Sequence, residues 1–328
     1  MAQKFSLFDP LVMEPFKCRN RVVFSPYQEN MANRDGTVSP HLFSHYLSAA
    51  REGAGLVILE SAYVARQGRG TYNQLGISEE IHLEGLFRLV SALKAEGAKV
   101  GIRLSHAGAR TSEEICGEQP LGPSVMNLGK DFTQNREMDE DDLEELILLF
   151  IHAAERAEEV DADLIEINGS QQYLLDQCLS ARYNNRSDAF GGEIKGRMRL
   201  AVEIIKAIKN RTSAKTPISY YFSIHDKLED GFDEKELKDL LKTLNDAKVD
   251  FLHPVSLHVM NKFFDADLTL VEWVNKFAKQ PIIADGNLKS PQILKEVMAL
   301  QSADLFALDR TLFSRPNWLA FLQKKFVE

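Results

Sequence analysis

Residues 139–168 read DEDDLEELILLFIHAAERAEEVDADLIEIN. In the first two-thirds, Leu143, Leu146, Ile147, Phe150 and Ala154 fall on one stripe at helical spacing. The acidic start, Asp139 to Asp142, suits the positive end of a helix dipole. The spacing predicts a helix over 141–159. Asp163–Asn168 then turns short and largely apolar, as a parallel strand covered on both faces would. A helix feeding a strand through a brief polar turn is the repeating unit of a parallel α/β sheet.

The same unit recurs on both sides. Strand candidates are Val22–Pro26, Gly55–Ser61, Val100–His106, Asp163–Asn168, Ile218–Ser223, Phe251–Ser256, Ile282–Gly286 and Asp304–Arg310. Further helical patterns are Glu193–Lys209, Asp233–Ala247, Leu268–Phe277, Ser290–Leu300 and Pro316–Phe326. Ser290-Pro291 is a good cap and first-turn pair. Eight strands with helical connections close most simply as a (β/α)₈ TIM barrel, a closed parallel eight-stranded sheet. An open doubly wound sheet is the alternative, but no Gly-x-Gly-x-x-Gly follows the first strand. No linker-like stretch interrupts the chain, so one barrel domain over residues 1–328 is expected. Two long connections, about 107–139 and 169–192, leave the C-terminal strand ends, where barrel enzymes build their sites.

Composition narrows the partners. The 328 residues are 44% apolar and 27% charged, enough for a large core. The net charge of −9, without a Lys/Arg block, argues against nucleic acid and anionic membranes and leaves a small-molecule substrate. Three cysteines without a Cys-x-x-Cys pair argue against a disulfide framework and for a reducing, cytoplasmic setting. The N-terminal stretch lacks the apolar run of a signal peptide, and no stretch of ~18 apolar residues suggests a membrane span. No His/Cys/Asp cluster has metal-ligand spacing, so no metal is expected. Association of identical chains stays open.

From strand four the sequence runs Glu166-Ile167-Asn168-Gly169-Ser170-Gln171-Gln172-Tyr173-Leu174-Leu175, then Leu179-Ser180, then Asn184-Asn185-Arg186-Ser187-Asp188-Ala189-Phe190-Gly191-Gly192. Asn20-Arg21, Ser25-Pro26, Gln67-Gly68-Arg69, Leu104-Ser105-His106-Ala107-Gly108, Gly122-Pro123-Ser124, Asp285-Gly286 and Ala303-Asp304-Leu305 through Arg310 follow in order along nearly the whole chain. Together these resemble the old yellow enzyme family of NADH:flavin oxidoreductases. The resemblance implies FMN across the barrel mouth, NAD(P)H as reductant, and reduction of an alkene conjugated to a carbonyl or nitro group.

The resemblance also assigns roles. Tyr173 stands where the family places its proton donor; packing at the barrel rim is the plainer reading. Asn168 and Gln171 stand where a His and a His or Asn bind the substrate's oxygen. Amides still donate hydrogen bonds but cannot become cationic. Retained geometry with weaker activation, loss of the reaction, and simple capping of the strand end all stay open, since losing one oxyanion donor costs ~10²–10³ in rate. Ser25, Pro26, Gln28 and Ser61 take flavin-edge positions. Tyr221 replaces an Arg that faces the flavin pyrimidine, and Arg103 replaces a Gln nearby. Either Arg103 restores the lost charge there, or it pairs with Glu60 or Glu166. Gly286, Asn287 and Arg310 suit the phosphate. Asp309 beside Arg310 opposes it, by ~1–3 kcal/mol if ionised nearby, and Leu257 replaces a Gly. These departures leave an alternative: a divergent barrel that has lost FMN and performs redox-neutral chemistry or non-catalytic small-molecule binding. His106 reads as a structural histidine.

Overall fold

A computed structural model describes residues 5–26, 28–213, 215–224, 231–308, 313 and 317–327. Eight parallel strands form one sheet: β1 (Val22–Phe24), β2 (Leu56–Tyr63), β3 (Lys99–Ser105), β4 (Leu164–Gly169), β5 (Ile218–Phe222), β6 (Phe251–Pro254), β7 (Ile283–Leu288) and β8 (Leu305–Leu308). Their order is β6-β5-β4-β3-β2-β1-β8-β7. Parallel bridges from Leu252 to Ile282 and from Val255 to Asp285 join β6 to β7 and bring the barrel round to near closure. All eight expected strands are present, with ends moved by a few residues.

Eight helices of eight or more residues cover the sheet among the described residues: α1 (Pro40–Arg51), α2 (Leu83–Ala95), α3 (Glu140–Glu159), α4 (Arg199–Arg211), α5 (Glu234–Asp246), α6 (Leu270–Phe277), α7 (Pro291–Ala299) and α8 (Trp318–Val327). At the start of α3, Asp139 accepts from the Asp142 N–H, and Asp142 reciprocates as a capping box. Leu143, Leu146, Phe150 and Ala154 of its stripe are buried, as the spacing required. Helices α1 and α2 were not among the expected patterns, although Ser39-Pro40 opens α1 in the manner of Ser290-Pro291. The run expected as one helix from Glu193 is broken at Met198 into Ile194–Arg197 and α4.

The two long connections carry structure of their own. Residues 107–139 contain a short helix, Glu113–Cys116, and a parallel pair of Leu121–Gly122 with Arg136–Glu137. Residues 169–192 contain the helix Leu174–Leu179. Before β1, an antiparallel hairpin (Leu11–Met13 with Phe16–Cys18) packs on the barrel, with Phe16 edge-on to Phe251 at 5.3 Å.

Side chains alternate along a strand with period two, so Leu164, Glu166 and Asn168 share one face of β4. The barrel interior changes character along that direction. Leu56, Ile58, Leu164, Phe251, Ile283 and Leu305 form an apolar cluster with the hairpin. Two residues further along their strands stand Glu166 and His253, level with Arg103 and Ser219, and all four are fully buried. The register pairs Arg103 with Glu166 and Glu166 with Ser219. A polar layer therefore sits between the apolar plug and the C-terminal mouth.

Candidate active site

The C-terminal strand ends surround a cavity of about 810 Å³, within the range of ~300–1,000 Å³ usual for small-molecule sites. Ser25, Pro26 and Gln28 line it after β1, Gln171 and Gln172 after β4, and Tyr221 and Ser223 at β5. Asp285, Gly286 and Asn287 line it from β7.

Beneath the cavity the polar layer is linked by hydrogen bonds, with only His253 Nε2 left without one among its described atoms. Arg103 Nε donates to Glu166 Oε1 at 2.8 Å, Nη2 to Ser25 Oγ at 2.6 Å and Nη1 to the Pro26 carbonyl at 3.2 Å. The Tyr221 ring covers the guanidinium, 3.9 Å from its carbon to the ring centroid. Of the two readings of Arg103, the pairing with Glu166 is what the geometry displays; Arg103 lies under the cavity wall, not on it. The other Glu166 oxygen accepts from Ser219 and lies 2.7 Å from His253 Nδ1. On its far side, His253 Nε2 points at Asp285, 3.4 Å away. Burial disfavours the His253 imidazolium, but Glu166 and Asp285 outweigh it and raise its pKa. Burial likewise opposes ionisation of Glu166, yet His253 and Arg103 hold its pKa down to about 2. A buried ion pair of this kind is tolerated because hydrogen bonds satisfy both partners.

Glu60, within β2, is different. Burial pushes its pKa up to about 7, against the N–H groups of Glu29 and Asn30 that donate to its Oε2. Its Oε1 is buried without a hydrogen bond. Glu60 thereby anchors the segment carrying Gln28. His106 is buried, its pKa lowered to about 3 by desolvation, and its Nδ1 accepts from the Gly108 N–H.

The strand-four residues divide. Asn168 is buried; its Nδ2 donates to Ser61 Oγ and to Gln171 Oε1, both at 3.1 Å. Ser61 is also buried and donates to Gln171 Oε1 at 3.4 Å. The oxygen end of the Gln171 amide is thus held, while its Nε2 makes only a 3.4 Å contact to Tyr221 Oη at the cavity wall. Gln171 and Gln172 both have positive φ, 71° and 56°, a conformation that costs a non-glycine residue about 1–3 kcal/mol. Arg110 Nη1 donates to the Gln171 carbonyl, Asp176 accepts from the Gln172 N–H, and Gln177 donates to the Gln172 carbonyl. These bonds hold the turn. Tyr173 is buried, and its hydroxyl donates to Gln28 Oε1 at 3.1 Å, while Gln28 Nε2 donates to Thr71.

Gly286 has φ +140°, and a Cβ there would lie 2.7 Å from the Ser256 carbonyl oxygen and 2.8 Å from Val259 N. The glycine lets β7 close onto the loop after β6. Leu257 in that loop is 93% exposed at the rim. Asp309 and Arg310 lie outside the described residues. Arg110, Gln172 and Asp285 had not been expected at the site. The first two come from the long connections, where strand-end counting gives no direction, and Asp285 had been read only as part of a glycine motif.

Residues 6–327 match the model of the NADH:flavin oxidoreductase / NADH oxidase family. A NADH oxidase of Thermoanaerobacter brockii is 35% identical over 92% of this chain; the chain spans 48% of that relative's length. A NADPH dehydrogenase of Bacillus licheniformis is 31% identical over 95% of the chain and 92% of its own length. Among solved structures, an old yellow enzyme homologue from Zymomonas mobilis superposes with a TM-score of 0.86 at 22% identity, covering 98% of this chain and 93% of its own. Morphinone reductase in complex with tetrahydroNAD gives 0.85 at 22% identity, with 97% and 90% covered. The chain belongs to the NADH:flavin oxidoreductase / NADH oxidase family, that of the old yellow enzymes. Membership implies FMN as cofactor and NAD(P)H as reductant.

The described wall fits the ring end of that cofactor. Amide and hydroxyl groups of Gln28, Gln171, Ser25, Ser223 and Tyr221 supply the uncharged donors and acceptors that complement a pyrimidinedione edge. Among the described residues, no helix is long and apolar enough to cross a membrane, and no cluster of three His, Cys, Asp or Glu could hold a metal.

Proposed function

We propose that this protein is an old yellow enzyme-type reductase that uses NAD(P)H and FMN to reduce an alkene conjugated to a carbonyl or nitro group. The observation that carries this reading is the Gln171 amide, fixed at its oxygen by Asn168 and Ser61 with its nitrogen at the cavity wall. When bound, the flavin supplies hydride to the alkene. Gln171 Nε2 donates to the substrate's oxygen, where negative charge gathers. Asn168 positions that amide instead of binding substrate. Tyr173 holds the proton for the neighbouring carbon at its hydroxyl and is presented through Gln28, which lines the cavity. Ser25, Pro26, Gln28 and Tyr221 border the ring; Gly286, Asn287 and Arg310 serve the phosphate. Arg103 and Ser61 act one layer beneath. One barrel domain, working in the cytoplasm, carries the whole site.

The test is spectroscopic and then kinetic. Purified protein takes up FMN with a shift of the flavin absorbance bands, and oxidises NAD(P)H when an α,β-unsaturated ketone is added. A protein that leaves FMN free in solution overturns the reading. The second reading, a barrel working without flavin, is favoured by Tyr221 screening Arg103 from the cavity; that same result would establish it.

A further inference from the structure

Arg110 has a feature unlike the other charges around the cavity. Its Nη1 is occupied by the Gln171 carbonyl at 2.8 Å and by Gln172 Oε1 at 3.1 Å. Among the described residues, its Nε and Nη2 have no partner and no carboxylate lies within ion-pair distance. The other described cation on the cavity wall, Lys262, is paired with Asp267 at 3.3 Å. The wall's acids are committed as well: Asp285 faces His253, Glu29 faces His45, and Asp176 accepts from the Gln172 N–H. Arg110 thus presents an unneutralised, planar pair of donors, and its orientation is set by the left-handed turn at Gln171–Gln172. Gln172, whose oxygen Arg110 takes, has its own Nε2 beside it without a partner among the described residues.

We propose that Arg110, with Gln172 Nε2, is a carboxylate-recognition site at the cavity rim, and that the substrate is an activated alkene bearing a separate carboxylate. A guanidinium edge matches the two oxygens of a carboxylate better than any other common side chain does. Gln171, one residue away on the same turn, is the group assigned to the substrate's carbonyl oxygen. One turn therefore reads both ends of a small keto acid. The substrate class rests on the reductase reading, but the anion site itself does not.

The experiment compares trans-4-oxo-2-pentenoate with its methyl ester by calorimetric titration of the full chain supplied with FMN, alongside a separate FMN titration. The acid is expected to bind at least about tenfold tighter than the ester, as one charge-assisted pair allows. Arg110→Gln abolishes that preference, so that acid and ester bind with equal affinity to each other, and Arg110→Lys, which keeps the charge, retains part of it. Equal binding of acid and ester by the wild type overturns the proposal, as does an Arg110→Gln variant that keeps the preference. Arg110→Gln weakening NADPH but not the acid also overturns it, because the site would then serve the nicotinamide cofactor's phosphate. If FMN is not taken up but the acid still binds through Arg110, the anion site stands and the reductase reading falls. If FMN binds and the acid shows no preference, the reverse holds.

Discussion

Tyr221 lies flat enough over Arg103 that its ring centroid is 3.9 Å from the guanidinium carbon, and Arg103 spends its remaining donors on Glu166, Ser25 and Pro26. One aromatic ring therefore separates a fully buried cation from the cavity. Replacing Arg103 with Met leaves the buried Glu166 with His253 and Ser219 as its remaining partners. Losing one partner of a buried pair costs about 3–5 kcal/mol, so Arg103→Met should shift the denaturant midpoint strongly downward. Tyr221→Leu keeps the burial but loses the cation–π contact, a smaller loss of about 2 kcal/mol. Equal midpoints for wild type and Arg103→Met would contradict this account of the layer.

Stability should peak in mildly acid solution. Glu166, held near 2 against an ordinary 4.5, contributes stability above 4.5 that is lost as pH falls toward 2. His106, lowered from 6.5 to about 3, acts in the same direction as Glu166, its contribution falling away as pH drops below 6.5 and offsetting Glu60 in that range. Glu60 and His253 act in the opposite direction. Glu60, raised from 4.5 to about 7, binds its proton more tightly when folded, so its contribution disappears as pH rises from 4.5 through about 7. His253, raised from 6.5, loses its contribution as pH climbs through its folded value. Denaturant midpoints measured from about pH 3 to about pH 9 should show this maximum, and Glu60→Gln should flatten the decline on its neutral side. An unchanged decline in that variant would remove Glu60 from the explanation.

Gln171→Leu removes the proposed oxyanion donor and should lower kcat by ~10²-fold. Asn168→Leu frees the amide to rotate, and should lower kcat without a matching rise in KM. Tyr173→Phe removes the proton held at the hydroxyl and should slow the oxidative half-reaction while flavin reduction by NADPH stays at its wild-type rate. Stopped-flow measurement of the two half-reactions checks all three. Slow flavin reduction in Tyr173→Phe would show that the tyrosine supports the cofactor and not the proton transfer.

Lys248 follows α5 with φ +58°, and the Val249 N–H reaches back to the Leu244 carbonyl. This is a helix end that favours glycine. Lys248→Gly should raise stability by about 0.5–1 kcal/mol, seen as a higher melting temperature with unchanged activity.

Much of this arrangement was legible in order along the chain. Continuous apolar runs marked the eight strands because both faces of a parallel strand are covered. The stripe through Leu143, Leu146, Phe150 and Ala154 marked α3. The strand ends then located Ser25, Gln28, Gln171, Tyr221 and Asn287, all of which reach the cavity wall. The site's internal divisions were not legible. Asn168 and Ser61 sit at strand ends like the others but turn into the protein to hold Gln171. Arg103 was visible as a charge out of place on β3, yet its partner lies 63 residues away, and the choice between Glu60 and Glu166 depended on which strand neighbours β3 in register.

The amino-acid sequence alone determined the barrel and the family, because periodicity and ordered short motifs are local properties that survive without coordinates. Tertiary structure alone decided how the charges at its mouth are distributed. Arg103, Glu166, His253 and Asp285 come from four strands and meet only when the sheet closes. Closure puts them in a low-dielectric interior, where each must find a partner. Arg110, carried in from a long connection, reaches the rim without a carboxylate partner among the described residues. Distances across the barrel set which charges are neutralised and which one is left for a ligand, and sequence spacing does not encode those distances.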